Sequence, residues 1–291
     1  MKILPNISYF FILFFVFGIT ENNYSQNRHT RPRFLKKHKK SILDNLPTFF
    51  VDDSRLPLYM KQIYKRDAAR ISIRLLNKEL RISQQTVQIP EELVQAIYNA
   101  MVAVRTSNYS AVDTMVNQYY IRTFPVPNVE KIILIAEHDA PWLKPLKHRE
   151  DTTGNSQINA IIRAHDLSIS KLVHIDEERV ALVLQSRTPI NIPALMMRFF
   201  VEKGIGSIEE VLPYGDGNDI HIERTKKGWE LVYSLKFGNC SFQCQKYHNW
   251  SYSIQEDGAV SYNGSSGYTI PPWITKSREG NKYPDVLVSK R

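Results

Sequence analysis

Cysteine is almost absent: the 291-residue chain has two, at positions 240 and 244, which excludes a disulfide-dense scaffold. Glycine and proline number 12 and 15, too few for a collagen-like or low-complexity chain. No internal repeat of roughly 20–50 residues runs through it, so neither a solenoid nor a propeller is expected. No apolar stretch reaches the roughly 20 residues that span a bilayer as a helix. G-x-S-x-G, H-E-x-x-H, Walker A and strand-borne G-x-G-x-x-G motifs are all missing, which removes the commonest hydrolase, zinc-protease and nucleotide-binding signatures. What is present is 43% hydrophobic and 23% charged residues, the balance of a folded protein of one or two domains.

Residues 1–25 are built differently from the rest. Lys2 is followed by an uncharged apolar run of 11 residues from Tyr9 to Ile19, then by a polar stretch ending in Ser25. At about 1.5 Å per residue the run is too short for a bilayer core of about 30 Å. It reads as a secretory signal peptide over residues 1–25 cleaved after Ser25, with an uncleaved anchoring helix as the competing reading. The expected location is therefore secreted, periplasmic or in the cell envelope. Loss of this segment removes Lys2 and Glu21 and leaves the net charge at +9. Residues 26–40 hold seven basic residues, Arg28, Arg31, Arg33, Lys36, Lys37, Lys39 and Lys40, and no acid. The basic character thus belongs to a linker over 26–45, suited to contact with an anionic surface. Only Phe34 and Leu35 interrupt it, so it lacks the aromatic interleaving that specific nucleic-acid binding by stacking wants.

The periodicity predicts an α+β fold with a helical N-terminal part over 46–128. Tyr64, Ala68, Ile71 and Leu75 have helix spacing, although Ile71-Ser72-Ile73 also alternates as a strand would. A second helix is predicted over about 90–106, opened by Pro90, Glu91 and Glu92 and striped by Leu93, Ile97, Met101 and Val104. Ser110 or Asp113 is a candidate cap for a further helix toward Tyr119. Residues 129–214 read as strand, helix, strand, strand, helix, strand, with Gly154-Asn155 before one helix and Asn191 as N-cap candidate of the other. That order is the β-α-β-β-α-β of ferredoxin-like folds. Residues 215–264 read as antiparallel hairpins turning at Lys227-Gly228 and Asp257-Gly258. An irregular tail is expected over 265–291.

Three constellations carry candidate chemistry. Gly215-Asp216-Gly217-Asn218-Asp219-Ile220 is similar to half a turn of the calcium-binding nonapeptide repeats of secreted proteins, making Asp216, Asn218 and Asp219 a calcium candidate; the alternative is a Gly/Asn-rich turn. Cys240 and Cys244 in an exported chain most simply form a disulfide. Zinc held by Cys240, Cys244 and His248, and a redox-active pair, stay open. The neighbours His138-Asp139, His165-Asp166 and His174 with Asp176 suit acid/base work, but nothing in the sequence joins them, so separate surface positions are expected.

Thr153-Gly154-Asn155, Gly215-Asp216-Gly217-Asn218-Asp219-Ile220, Gly238-Asn239-Cys240 through Cys244, His248-Asn249-Trp250 and Asp257-Gly258-Ala259-Val260 together resemble a group of uncharacterised, signal-peptide-bearing bacterial proteins. The group has a Cys pair ahead of a Trp-containing strand, and the resemblance covers roughly residues 60–264. It usually has Asp before the first Cys, Pro after it and Gly before the second; here Asn239, Ser241 and Gln243 stand instead. The resemblance implies no activity. The β-α-β-β-α-β order is also similar to propeptide and inhibitor modules of subtilisin-type proteases, at the level of fold alone. The function expected is a secreted or envelope-associated, non-enzymatic binding or structural module with its recognition face around 215–262 and a protein or glycan partner. The alternatives are a secreted hydrolase or calcium-dependent enzyme using Asp216, Asp219, His221 and His248, and a protease inhibitor or propeptide-like module. Beyond calcium no cofactor is expected.

Overall fold

A computed structural model describes residues 42–78, 86–211, 217–238 and 245–279. The expected signal peptide, the basic run over 26–40, Asp216 and the pair Cys240 and Cys244 lie outside the described residues. Helix α1 (Leu58–Asn77) buries Tyr64, Ala68, Ile71 and Leu75 on one stripe. The alternation at Ile71-Ser72-Ile73 does not make a strand, because the buried Ser72 hydroxyl donates to the Ala68 carbonyl at 2.8 Å, a bond available one turn back in a helix. Helix α2 (Glu91–Thr106) starts after Pro90, with Glu91 and Glu92 in its first turn, and buries Leu93, Ile97, Met101 and Val104. The short α3 (Ser110–Val112) continues into a π-turn, Asp113–Gln118, without a side-chain cap at either start. Asp113 instead accepts a hydrogen bond from Asn117 Nδ2.

The middle segment contains β1 (Lys131–Glu137), a 3-10 turn (Pro141–Leu143) leading into α4 (Lys144–Lys147), and α5 (Ser156–Ala164). It continues with β2 (Leu167–His174), β3 (Arg179–Ser186), α6 (Ile192–Phe199) and β4 (Ser207–Glu210). The four strands form one sheet in the order β2-β3-β1-β4, each neighbouring pair antiparallel. Pairing Ile132 with Leu184 and Leu134 with Leu182 puts these side chains on one face. They pack there with Ile158, Leu195 and Phe199 from the helices. Both helix starts are capped by asparagine: Asn155 accepts from the Gln157 and Ile158 amides, and Asn191 from the Ala194 amide.

The C-terminal segment is an antiparallel meander, β5 (Asp219–Thr225), β6 (Gly228–Phe237), β7 (Lys246–Gln255) and β8 (Val260–Gly267). Gly228 has φ +141°, and a Cβ there would lie 2.0 Å from the Ile254 carbonyl oxygen, so the β5–β6 turn requires glycine. The segment expected to be an irregular tail holds the end of β8 and a further helix, α7 (Pro272–Glu279). Proline at the first helical position pre-sets its backbone angle, and Ile274 is buried.

The inner face of this meander is where the N-terminal helices settle. Ile71 of α1 and Leu93, Ile97 and Met101 of α2 share one core with Trp229, Leu231 and Tyr233 of β6 and Trp250, Tyr252 and Ile254 of β7. Two stretches separated by the whole middle segment therefore form one layered α+β unit. Among the described residues no helix is long and apolar enough to cross a membrane.

Candidate functional site

Side chains alternate across a strand, so one face of β5–β8 is used up by that core and the other is left over. On the outward side the register sets Val232 against Ser251, Ser234 against Asn249 and Lys236 against Tyr247. The Ser234 hydroxyl donates to Asn249 Oδ1 at 2.7 Å, and Asn263 Nδ2 donates to Ser253 Oγ at 2.7 Å. Tyr247 is 48% exposed and meets the 52% exposed Tyr268 edge to face, ring centres 6.2 Å apart. Lys246 Nζ lies 5.8 Å from the Tyr268 ring centre. Hydroxyls, amides and two tyrosines thus share this side with the exposed carboxylates of Glu223 and Glu230 and with His221 and Lys236.

Asn218 and Asp219, the two calcium candidates among the described residues, sit at the start of β5, where the structure gives them other work. Asp219 Oδ1 accepts from Arg74 Nη1, the Phe124 amide and the Ile220 amide, each at 2.8 Å. Arg74 comes from α1 and also donates through Nε to the Val126 carbonyl at 3.1 Å and through Nη2 to the Phe124 carbonyl at 2.6 Å. The result is a latch that ties helix, connecting segment and strand together. A cation at Oδ1 would face the guanidinium of Arg74, a like charge in contact. Asn218 is buried and its Oδ1 accepts from the Lys236 amide at 2.8 Å. Among the described residues no group of three or more His, Cys, Asp or Glu side chains is placed to hold a metal ion.

The remaining acid/base candidates divide. His221 Nε2 lies 3.7 Å from Asp219 Oδ2. His221 pairs with Val232, which faces Ser251, so it lies on the outward side, whereas His248 alternates with Ser251 onto the inward one. There His248 Nδ1 makes a 2.9 Å hydrogen bond with the Tyr268 carbonyl, and its ring meets Trp250 at 4.5 Å. Asp219, His221 and His248 therefore do not converge. The expectation that the three His/Asp sets stay separate needs one correction. His138 and His174 flank the start of β3 from either side, with ring centres 5.2 Å apart, and Lys147 Nζ donates to the His138 carbonyl. Asp176 is held by Arg179, whose hydrogen bonds keep the carboxyl below its ordinary range. His165 stands apart, its pKa lowered by burial and then by Arg198.

Sequence reasoning missed the buried charges of α1. Asp67 is fully buried and accepts from Arg122 Nε at 2.6 Å and Arg70 Nη1 at 3.1 Å. Burial depresses the Arg70 guanidinium, opposed by the nearby Asp67 carboxylate. The signal was present: Asp67, Arg70 and Arg74 recur at helix spacing, so these charges share a face with one another. A cleft of about 350 Å³ opens beside Arg105, Asn108, Tyr109 and Asp113. Three of the polar side chains on it are already paired with one another, Arg105 Nη1 donating to Asn117 Oδ1 at 2.6 Å and Asn117 Nδ2 to Asp113. No family model, no curated protein and no solved structure matches the chain.

Proposed function

We propose that the chain is a non-enzymatic binding module, exported by its N-terminal segment, whose recognition face is the outward side of β5–β8 and whose ligand is a glycan. The observation that carries this reading is the one-sided cover of that sheet: α1 and α2 pack on its inward face, while exposed Tyr247 and half-buried Asn249, Ser251 and Ser253 point away. Such a surface matches a saccharide, whose hydroxyls both donate and accept and so pair with hydroxyls and amides. The C–H faces of a sugar lie against exposed aromatic rings, here Tyr247 and Tyr268. Acid/base catalysis has less support, because Asp219 is latched to Arg74 and His248 lies on the other face. The antiparallel order β2-β3-β1-β4 with α5 and α6 in the crossovers supports a ferredoxin-like wiring of the middle segment, a likeness that by itself carries no activity.

Retention of the purified chain on a panel of immobilised cell-wall and extracellular polysaccharides tests the reading. At least one should retain it, and Tyr247→Ala with Asn249→Ala should weaken that retention about tenfold with little change in melting temperature. Retention on none, or retention unaffected by the double substitution, rejects the proposed face. Export is read separately, by sequencing the N-terminus of chain recovered outside the cytoplasm. Gln26 should come first, and an intact Met1 opposes a cleaved signal.

A further inference from the structure

We propose that the end of α6 docks on an anionic lipid surface. Within this helix the apolar pattern points inward at first, with Leu195 and Phe199 fully buried. Met197, Phe200 and Val201 do the opposite, at 57%, 74% and 76% exposure. No other stretch of five described residues presents three such side chains. Offsets of three and four put them on one helical face, and the geometry continues past the helix because the Phe200 amide donates to the Met196 carbonyl at 2.9 Å.

The tip is held in place. The Glu202 amide donates to the Phe199 carbonyl at 3.0 Å, and buried Trp142 donates through Nε1 to the Gly204 carbonyl at 2.9 Å. Gly204 has φ +84°, and a Cβ there would lie 3.1 Å from the Trp142 ring, so the turn and the indole fit only with glycine. Exposed Arg198 and Lys203 flank the apolar residues, against a half-buried Glu202. Apolar side chains ringed by basic ones are what an interfacial segment uses: the first enter the headgroup boundary and the second meet anionic lipid. The seven basic residues of 26–40 would be drawn to the same surface, and two weak signals together anchor where one does not. A second copy is a poorer occupant, since three side chains offer far less than the roughly 800 Å² per partner that a stable dimer buries.

The test uses the full chain with vesicles of phosphatidylcholine alone or mixed with phosphatidylglycerol, read by sedimentation and by hydrogen exchange of residues 197–204. Salt at about 0.5 M screens the basic run and leaves the apolar contribution. Anionic vesicles should slow exchange at the tip, and Phe200→Ser with Val201→Ser should cancel that protection and weaken vesicle binding about tenfold. Melting of the double variant checks its fold, which exposed positions should leave intact. Unchanged exchange at the tip, or equal binding by the double variant, overturns the proposal. Protection without vesicles that grows with protein concentration, together with a dimer by light scattering, overturns it in favour of a self-interface.

Discussion

Asp219→Ala is the substitution that separates a structural aspartate from a ligand for calcium. The carboxylate is nearly buried, its side chain 9% exposed against 25% for Arg74. Breaking a fully buried pair from one side costs about 3–5 kcal/mol, because it strands the other charge. Arg74 is a quarter exposed and keeps two carbonyl partners, which lowers that figure to about 2–3 kcal/mol. The Phe124 and Ile220 amides also lose their acceptor, restoring the total to about 3 kcal/mol. At about 2–4 °C per kcal/mol for a protein of this size, the melting temperature should fall by roughly 6–12 °C. Asp219→Asn keeps an oxygen for the amides and loses only the charge, so about half the drop is expected. Circular dichroism melts in chelator and in excess calcium complete the assay. A calcium ion bound at 100 times its Kd would raise stability by about 2.7 kcal/mol, whereas the latch predicts no calcium shift. An Asp219→Ala variant that melts within about 2 °C of the parent would refute the latch. A calcium-dependent rise that the substitution abolishes would restore a metal role.

Gly228→Ala should destabilise by more than about 2 kcal/mol in urea titration, since φ +141° and the 2.0 Å approach to the Ile254 carbonyl leave no room for Cβ; a loss under about 0.5 kcal/mol contradicts the turn. Asp67→Ala should cost about 3–4 kcal/mol by leaving Arg70 and Arg122 without their shared carboxylate, and a companion Arg122→Met substitution should then add little, a coupling that a double-mutant cycle measures. Between pH 7 and 5 the parent should lose stability that a His165→Asn variant does not. Burial and Arg198 hold the folded-state pKa of His165 below its usual value, so the unfolded chain takes the proton first. The contribution is fully present above about pH 6.5 and fades as pH falls through the lower folded value. Parallel pH profiles for the two proteins would remove this assignment.

The elements were largely readable because each depends on a few neighbouring residues. Pro90 with Glu91 and Glu92 marks the start of α2, and Asn155 and Asn191 supply the amide acceptors that α5 and α6 use. Glycine at 228 and Asp257-Gly258 mark the hairpin turns. The misreadings came where a local cue had a second solution. Ser110 and Asp113 looked like caps, yet the π-turn draws Asp113 to Asn117 instead. Pro272 belonged to a helix start rather than to an irregular tail.

The sequence by itself determined the periodicity of the strands and helices, the caps, the glycine turns and the concentration of charge in residues 26–40. Tertiary structure alone decided which faces meet: α1 and α2 with β5–β8 across the intervening middle segment, Arg74 with Asp219, and His138 with His174. The cost of closing a loop rises only slowly with its length, so sequence distance says little about which surfaces pair. Complementary buried area makes that choice, and with it which face of β5–β8 remains open.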